Sequence, residues 1–142
     1  MQSKNKYRVI IDTNIFINFL LTRKVMKLDE MIESQDIRLI YNEELLNELL
    51  AVMGRPKMKA FFGEKEIQKL LAQLKIFSAF SVVKTNVVAC RDPKEDFFLS
   101  LAKQSRADFI VTNNKDLLML EKFEETKIVT LNEFYNVMAE PA

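Results

Sequence analysis

The chain has 142 residues, 49% hydrophobic and 29% charged, which predicts a single folded domain over residues 1–142 with a sizeable core. With 21 basic and 20 acidic residues its net charge is +1, so the whole-molecule field neither drives nor excludes a polyanion, and any nucleic acid must bind at a local basic patch. There is no histidine, which removes the usual neutral-pH proton shuttle and the commonest ligand of zinc hydrolases; chemistry falls to carboxylates, amides and hydroxyls, and carboxylates suit hard cations such as Mg²⁺ or Mn²⁺.

The first eight residues are polar and basic, and the apolar run behind them is broken by Asp12 and Asn14, so no signal peptide is expected. Tyr7 to Ile11 reads as a strand. From Ile15 the spacing of Ile15, Phe16, Phe19 and Leu20 turns helical, with Thr13 or Asn14 as its cap. A second amphipathic stretch spans Val25 to Ile32. Ile37 to Tyr41 is the next strand, after which Asn42 caps a helix from Glu43 to Met53 that Gly54-Arg55-Pro56 stops. Glu64 to Phe77 is helical, and Phe80 to Lys84 is a third strand candidate because Val82 and Val83 are β-branched.

The lone cysteine, Cys90, excludes an internal disulfide, reads as a small buried hydrophobe, and fits a reducing cytoplasm. Asp92-Pro93-Lys94-Glu95 opens a helix that runs to about Ser105: a capping acid, proline at the first position and a glutamate three residues after the cap. Asp108 to Thr112 is a fourth strand, Lys115 to Leu120 a short helix, Lys127 to Leu131 a fifth strand and Glu133 to Met138 a last helix. Nothing approaches the roughly 18 uninterrupted apolar residues of a membrane span, so a soluble, cytoplasmic protein with no membrane partner is expected. Five short apolar strands separated by helices predict an α/β fold, a five-stranded mainly parallel sheet with helices on both faces.

In such a sheet, ligands bind beyond the carboxyl ends of the strands. Asp12 follows the first strand and Asp116 the fourth. Asp96 lies in the first turn of a helix running antiparallel to the strands, and the early glutamates of the helix from Asn42 open at the same end. Two carboxylates about 4 Å apart repel by ~4 kcal/mol at an effective dielectric near 20, so acids gathered there favour a divalent ion that can activate water on a phosphodiester. Each acid also has a structural reading: Asp12 as a helix cap, Asp92 as part of a capping box, Asp96 as a favourable charge at a positive helix end, Asp116 as part of a turn with Asn113 or Asn114. Glu44 lies opposite the leucine stripe, whereas Glu43 and Glu48 both flank it, and periodicity does not choose between them. Arg55, Lys57 and Lys59, followed by Phe61 and Phe62, suit phosphate and base contacts but equally suit a solvated loop before two core phenylalanines. Arg23, Lys24 and Lys27 form a second modest basic cluster, and Phe97 and Phe98 read as core. No glycine-rich phosphate loop exists.

Four pieces in this order, Val9-Ile10-Ile11-Asp12-Thr13-Asn14, Glu48-Leu49 with Gly54-Arg55-Pro56-Lys57, Asp92-Pro93-Lys94-Glu95-Asp96-Phe97-Phe98-Leu99, and Ala107-Asp108-Phe109-Ile110-Val111-Thr112 leading to Lys115-Asp116-Leu117-Leu118, resemble the PIN domain family of small metal-dependent ribonucleases, VapC-type toxins in particular. The resemblance spans roughly Arg8 to Tyr135. It implies a three-layer α/β/α fold, metal-binding roles for Asp12, Asp96 and Asp116, Glu48 as the catalytic helix glutamate, and pocket-lining roles for Asn14 and Thr112. It further implies Mg²⁺ or Mn²⁺, a single-stranded RNA substrate, a homodimer and a small antitoxin as partner. One departure stands out: many relatives read Val-Thr-Gly-Asp where this chain has Val111-Thr112-Asn113-Asn114, losing a glycine and an acid. Asparagine tolerates the left-handed turn that glycine supplies, and the lost charge weakens a metal site.

The leading expectation is therefore a metal-dependent endoribonuclease, the toxin of a toxin–antitoxin pair, with Arg55 and Lys57 as further substrate contacts. The competing one is a catalytically degraded PIN-like module kept for RNA or partner binding. A phosphorylation receiver, another acidic α/β domain, fits poorly, because the strands ending at Tyr41 and Lys84 carry no terminal aspartate and no lysine follows the fifth strand at Leu131-Asn132.

Overall fold

The computed structural model describes residues 7–22, 36–80 and 93–139. Its elements are β1 (Tyr7–Ile11), α1 (Thr13–Thr22), β2 (Ile37–Tyr41), α2 (Glu43–Met53), α3 (Glu64–Phe77), β3 (Ser78–Phe80), α4 (Pro93–Ser105), β4 (Phe109–Val111), α5 (Lys115–Leu118), β5 (Lys122–Phe123), β6 (Thr126–Val129) and α6 (Leu131–Ala139). The stretch Val25 to Ile32, the basic cluster at Arg23, Lys24 and Lys27, Cys90 and Asp92 all lie outside the described residues.

The strands line up in the order β3-β2-β1-β4-β6-β5. The first five are parallel, with Val9 opposite both Leu39 and Phe109, and Val111 opposite Ile11 and Val129. To this mainly parallel sheet β5 adds two antiparallel residues at one edge. Val9, Ile10 and Ile11 are all buried, as a strand covered on both faces requires.

Side-chain alternation along the strands sends the core two ways. Val9, Ile11, Leu39, Phe109 and Val111 pack with Ile15, Phe16 and Ile17 of α1, Leu49 and Met53 of α2, and Phe134 of α6. On the opposite face Ile10, Ile40, Ile110 and Ile128 meet Phe98, Leu99, Leu101 and Ala102 of α4 and Leu117 of α5. Helices therefore cover both faces, in three layers. No described helix is long and apolar enough to cross a membrane.

Several boundaries differ from the sequence expectations. The third described strand, Ser78–Phe80, follows directly from the end of α3 and begins two residues before the expected Phe80, while residues 81–84 of the expected strand lie outside the described residues. The last strand ends at Val129 because Thr130 and Glu133 form a capping box: Glu133 Oε1 accepts from the Thr130 N–H at 2.8 Å, and the Glu133 N–H donates to Thr130 Oγ1 at 3.2 Å. Helix α6 thus starts at Leu131, two residues before the expected Glu133.

Candidate active site

Winding proceeds outward from β1 through β2 to β3, then reverses to β4 and β6. The crevice at the carboxyl ends of β1 and β4 is the switch point of the sheet, where α/β domains bind ligands. Asp12 and Thr112, the residues directly after those two strands, face each other there. The Asp12 N–H donates to the Val111 carbonyl at 3.0 Å, and the Thr112 N–H to the Val129 carbonyl at 3.0 Å, so both backbones extend the ladder.

Thr112, with 0% exposure, donates its hydroxyl to Asp12 Oδ2 at 2.8 Å. Asp12 Oδ1 accepts from the Asn14 N–H at 3.2 Å. The carboxylate is half-buried and held by two donors from different elements. Asp12 also fills the cap position of α1: the helix starts at Thr13, and Asp12 bonds to its second residue. One oxygen of Asp12 thus serves the cap while the other accepts from Thr112, and the cap expected at Thr13 or Asn14 is instead Asp12. Thr13 is buried and Asn14 exposed in the first turn.

Thr112 Oγ1 accepts in turn from the Asn114 N–H at 3.0 Å, while Asn114 Oδ1 accepts from the Leu117 N–H at 3.1 Å and caps α5. This side-chain-closed turn needs no left-handed residue. Positive φ among non-glycine residues is confined to Arg106, Glu121 and Glu124 within the described residues. The left-handed turn expected at Asn113 is therefore absent: the Thr112 hydroxyl closes the bend that a glycine was expected to allow. Asn114 caps the helix, where the sequence reading had it as a departure from the family and as a turn partner of Asp116, although an asparagine two residues ahead of an acid at a helix start is a recognisable capping signal. Asn114 supplies the cap, and Asp116 sits half-buried in the first turn of α5.

The position of Asp96 follows from the opposite end of its helix. The Ser105 carbonyl, at the end of α4, accepts from Arg8 Nε at 2.8 Å, and the Asp108 side chain accepts from the Arg8 N–H at 2.8 Å. This latch pins the C-terminus of α4 to the amino end of β1. Nine residues of helix carry the chain ~14 Å back, about the length of β1, so half-buried Asp96 stands toward the carboxyl end of the sheet. Glu48 is exposed in the second turn of α2, away from the buried Leu45, Leu49 and Met53, and Glu43 and Glu44 are exposed in the first. Asn42 is the buried cap of α2, accepting from the Leu45 N–H at 2.9 Å. Arg55 and Lys57 are exposed beyond the far end of α2.

The donors at this rim are hard carboxylate oxygens, in kind those that Mg²⁺ or Mn²⁺ takes. As placed, no three acidic or cysteine side chains among the described residues form a group that could hold an ion. Asp12 is brought into hydrogen-bond contact with Thr112 and with Asn14.

The family profile of the PIN domain matches residues 8–116, a span that includes Asp12, Glu48, Asp96, Thr112 and Asp116. The chain is also similar to the uncharacterized protein MJ1680 of Methanocaldococcus jannaschii, at 31% identity over 93% of this chain and 85% of that protein.

Proposed function

The chain belongs to the PIN domain family, and from that premise we propose that it is a divalent-metal-dependent endoribonuclease that hydrolyses single-stranded RNA. PIN domains are in general nucleases that use divalent metals, and nucleic acid is the substrate class. The observation that carries the reading for this chain is the Thr112–Asp12 hydrogen bond at the switch point. A carboxylate fixed by donors from two elements is a pre-oriented group and a poor candidate for surface solvation alone.

In this reading Asp12, Asp96 and Asp116 hold Mg²⁺ or Mn²⁺. The chemistry such an ion supplies is neutralisation of charge on the phosphodiester and activation of water at neutral pH. Thr112 keeps Asp12 in one rotamer. Asn14 presents its exposed side chain beside Asp12 to the substrate, and Glu48 supplies the fourth acid. The toxin role, a small antitoxin covering the site, a homodimer and a cytoplasmic setting belong to the same proposal.

The test is cleavage of single-stranded RNA by the purified chain with Mn²⁺. Asp12→Asn keeps one acceptor, for the Asn14 amide, and its NH₂ can donate to the Thr112 hydroxyl, so it should abolish cleavage while leaving the chain folded. No cleavage by the unaltered chain, together with no slowing of growth on expression, sinks the proposal.

A second reading, a PIN-like module that binds RNA or a partner without cutting, is favoured by Asn113-Asn114 and by the lack of a three-acid group among the described residues. Calorimetric titration with Mn²⁺ separates the two: measurable binding that Asp12→Asn removes supports the nuclease, and none supports the module.

A further inference from the structure

We propose that the turn joining α2 to α3 is a binding platform for single-stranded RNA, in which Phe61 stacks on a base while Arg55, Lys57 and Lys59 hold neighbouring phosphates. The ligand class is taken from the ribonuclease reading; the platform is argued from the turn itself.

The backbone of this turn is wound. The Met58 and Lys59 N–H groups donate to the Arg55 carbonyl at 2.8 and 3.2 Å, and the Phe61 and Phe62 N–H groups to the Met58 carbonyl at 2.9 and 3.0 Å. Phe62 is buried and Met58 half-buried against the core of α1 and α2, so the segment is anchored from beneath. Two successive turns closed on the Arg55 and Met58 carbonyls keep Arg55, Lys57, Lys59 and Phe61 within one short connection.

Phe61 is 61% exposed, and every other phenylalanine whose burial is described is buried or half-buried. Its neighbour Phe62 supplies the anchoring, so the two rings divide between them the base-contact and core readings that the sequence left open. Between Glu48 and Glu64 the chain carries three cations and no acid. None of the three makes a hydrogen bond or ion pair through its side chain among the described residues. Of the two acids that open α3, Glu64 and Glu66, the second is engaged: its Oε1 accepts from the Gly63 N–H at 3.1 Å.

An exposed aromatic face flanked by exposed cations is the arrangement that binds single strands without regard to sequence, by stacking and by phosphate neutralisation. On a chain of net charge +1, such a local patch is what a polyanion needs. Eleven residues of α2 set the turn ~16 Å from Asn42 at the strand-end rim, so it engages nucleotides remote from the reacting bond.

The experiment uses the full chain with a fluorescein-labelled single-stranded RNA dodecamer, followed by anisotropy in metal-free buffer across a salt series. Phe61→Ala should weaken binding about tenfold at every salt concentration, and Phe61→Trp should restore it. Lys57→Gln and Lys59→Gln should each reduce the slope of log Kd against log salt by about 0.7, which Phe61→Ala leaves unchanged. Wild-type affinity and slope in these variants, or no binding by the unaltered chain, overturns the platform. So does labelled polyglutamate binding as tightly as the RNA with the same dependence on Phe61, which would make the turn a docking face for an acidic protein. Cleavage is scored separately: a chain that cuts RNA without needing Phe61 loses only the platform, and one that binds through Phe61 but never cuts loses only the ribonuclease.

Discussion

Replacing Thr112 with valine deletes one hydroxyl from a side chain with 0% exposure and nearly keeps its shape. Two hydrogen bonds go with it, the one donated to Asp12 Oδ2 at 2.8 Å and the one accepted from the Asn114 N–H at 3.0 Å. The first ends on a charged acceptor and is worth about 1.5–3 kcal/mol; the second is a neutral bond to an exposed residue that water can replace, so it adds less than about 1 kcal/mol. The expected loss is ~2–3 kcal/mol. With a urea dependence of about 1–3 kcal/mol per molar, the unfolding midpoint should fall by about 1 M. A double-mutant cycle of Thr112→Val with Asp12→Ala isolates the contact, and a coupling of about 1–2 kcal/mol is expected. Thr112→Ser keeps the hydroxyl and should keep most RNA cleavage, whereas Thr112→Val should lower it by loosening the Asp12 rotamer. A coupling below about 0.3 kcal/mol refutes the argument, because the two residues then act as independent sites.

Asn42→Ala removes the buried cap of α2 and should cost about 1–2 kcal/mol in chemical denaturation, with circular dichroism reporting lost helix. Phe134→Ala empties a fully buried position whose ring meets Phe109 edge-on at 5.4 Å; a loss of about 3–5 kcal/mol is expected by thermal or urea unfolding. Glu133→Ala breaks the capping box at Thr130 and should cost about 1 kcal/mol, a shift of a few degrees in Tm. A chelator should stop RNA cleavage and added Mn²⁺ should restore it; cleavage indifferent to both contradicts the metal-dependent reading.

Features decided by near neighbours in the chain were legible without a fold. Helix α2 runs from Glu43 to Met53 as expected, because Asn42 and Gly54 act within one turn of its ends. The apolar run of β1 announced a strand covered on both faces. The cap role open to Asp12 was visible for the same reason, since it bonds to the second residue of the helix it precedes. Strand β5 was missed: two residues are too few to show a period, and its flanking turn uses Glu121 and Glu124 at positive φ, where no glycine or asparagine signals it.

Sequence alone determined the class of fold and the inventory of groups able to do chemistry, because propensity, capping and hydrophobic period are local properties. The strand order, the latch from Arg8 to Ser105 and the contact between Asp12 and Thr112 join residues about a hundred positions apart, and only packing of the whole sheet brings them together. The same packing decided that Phe62 turns inward while Phe61 stays outside, a distinction that two adjacent identical residues cannot carry in their own order.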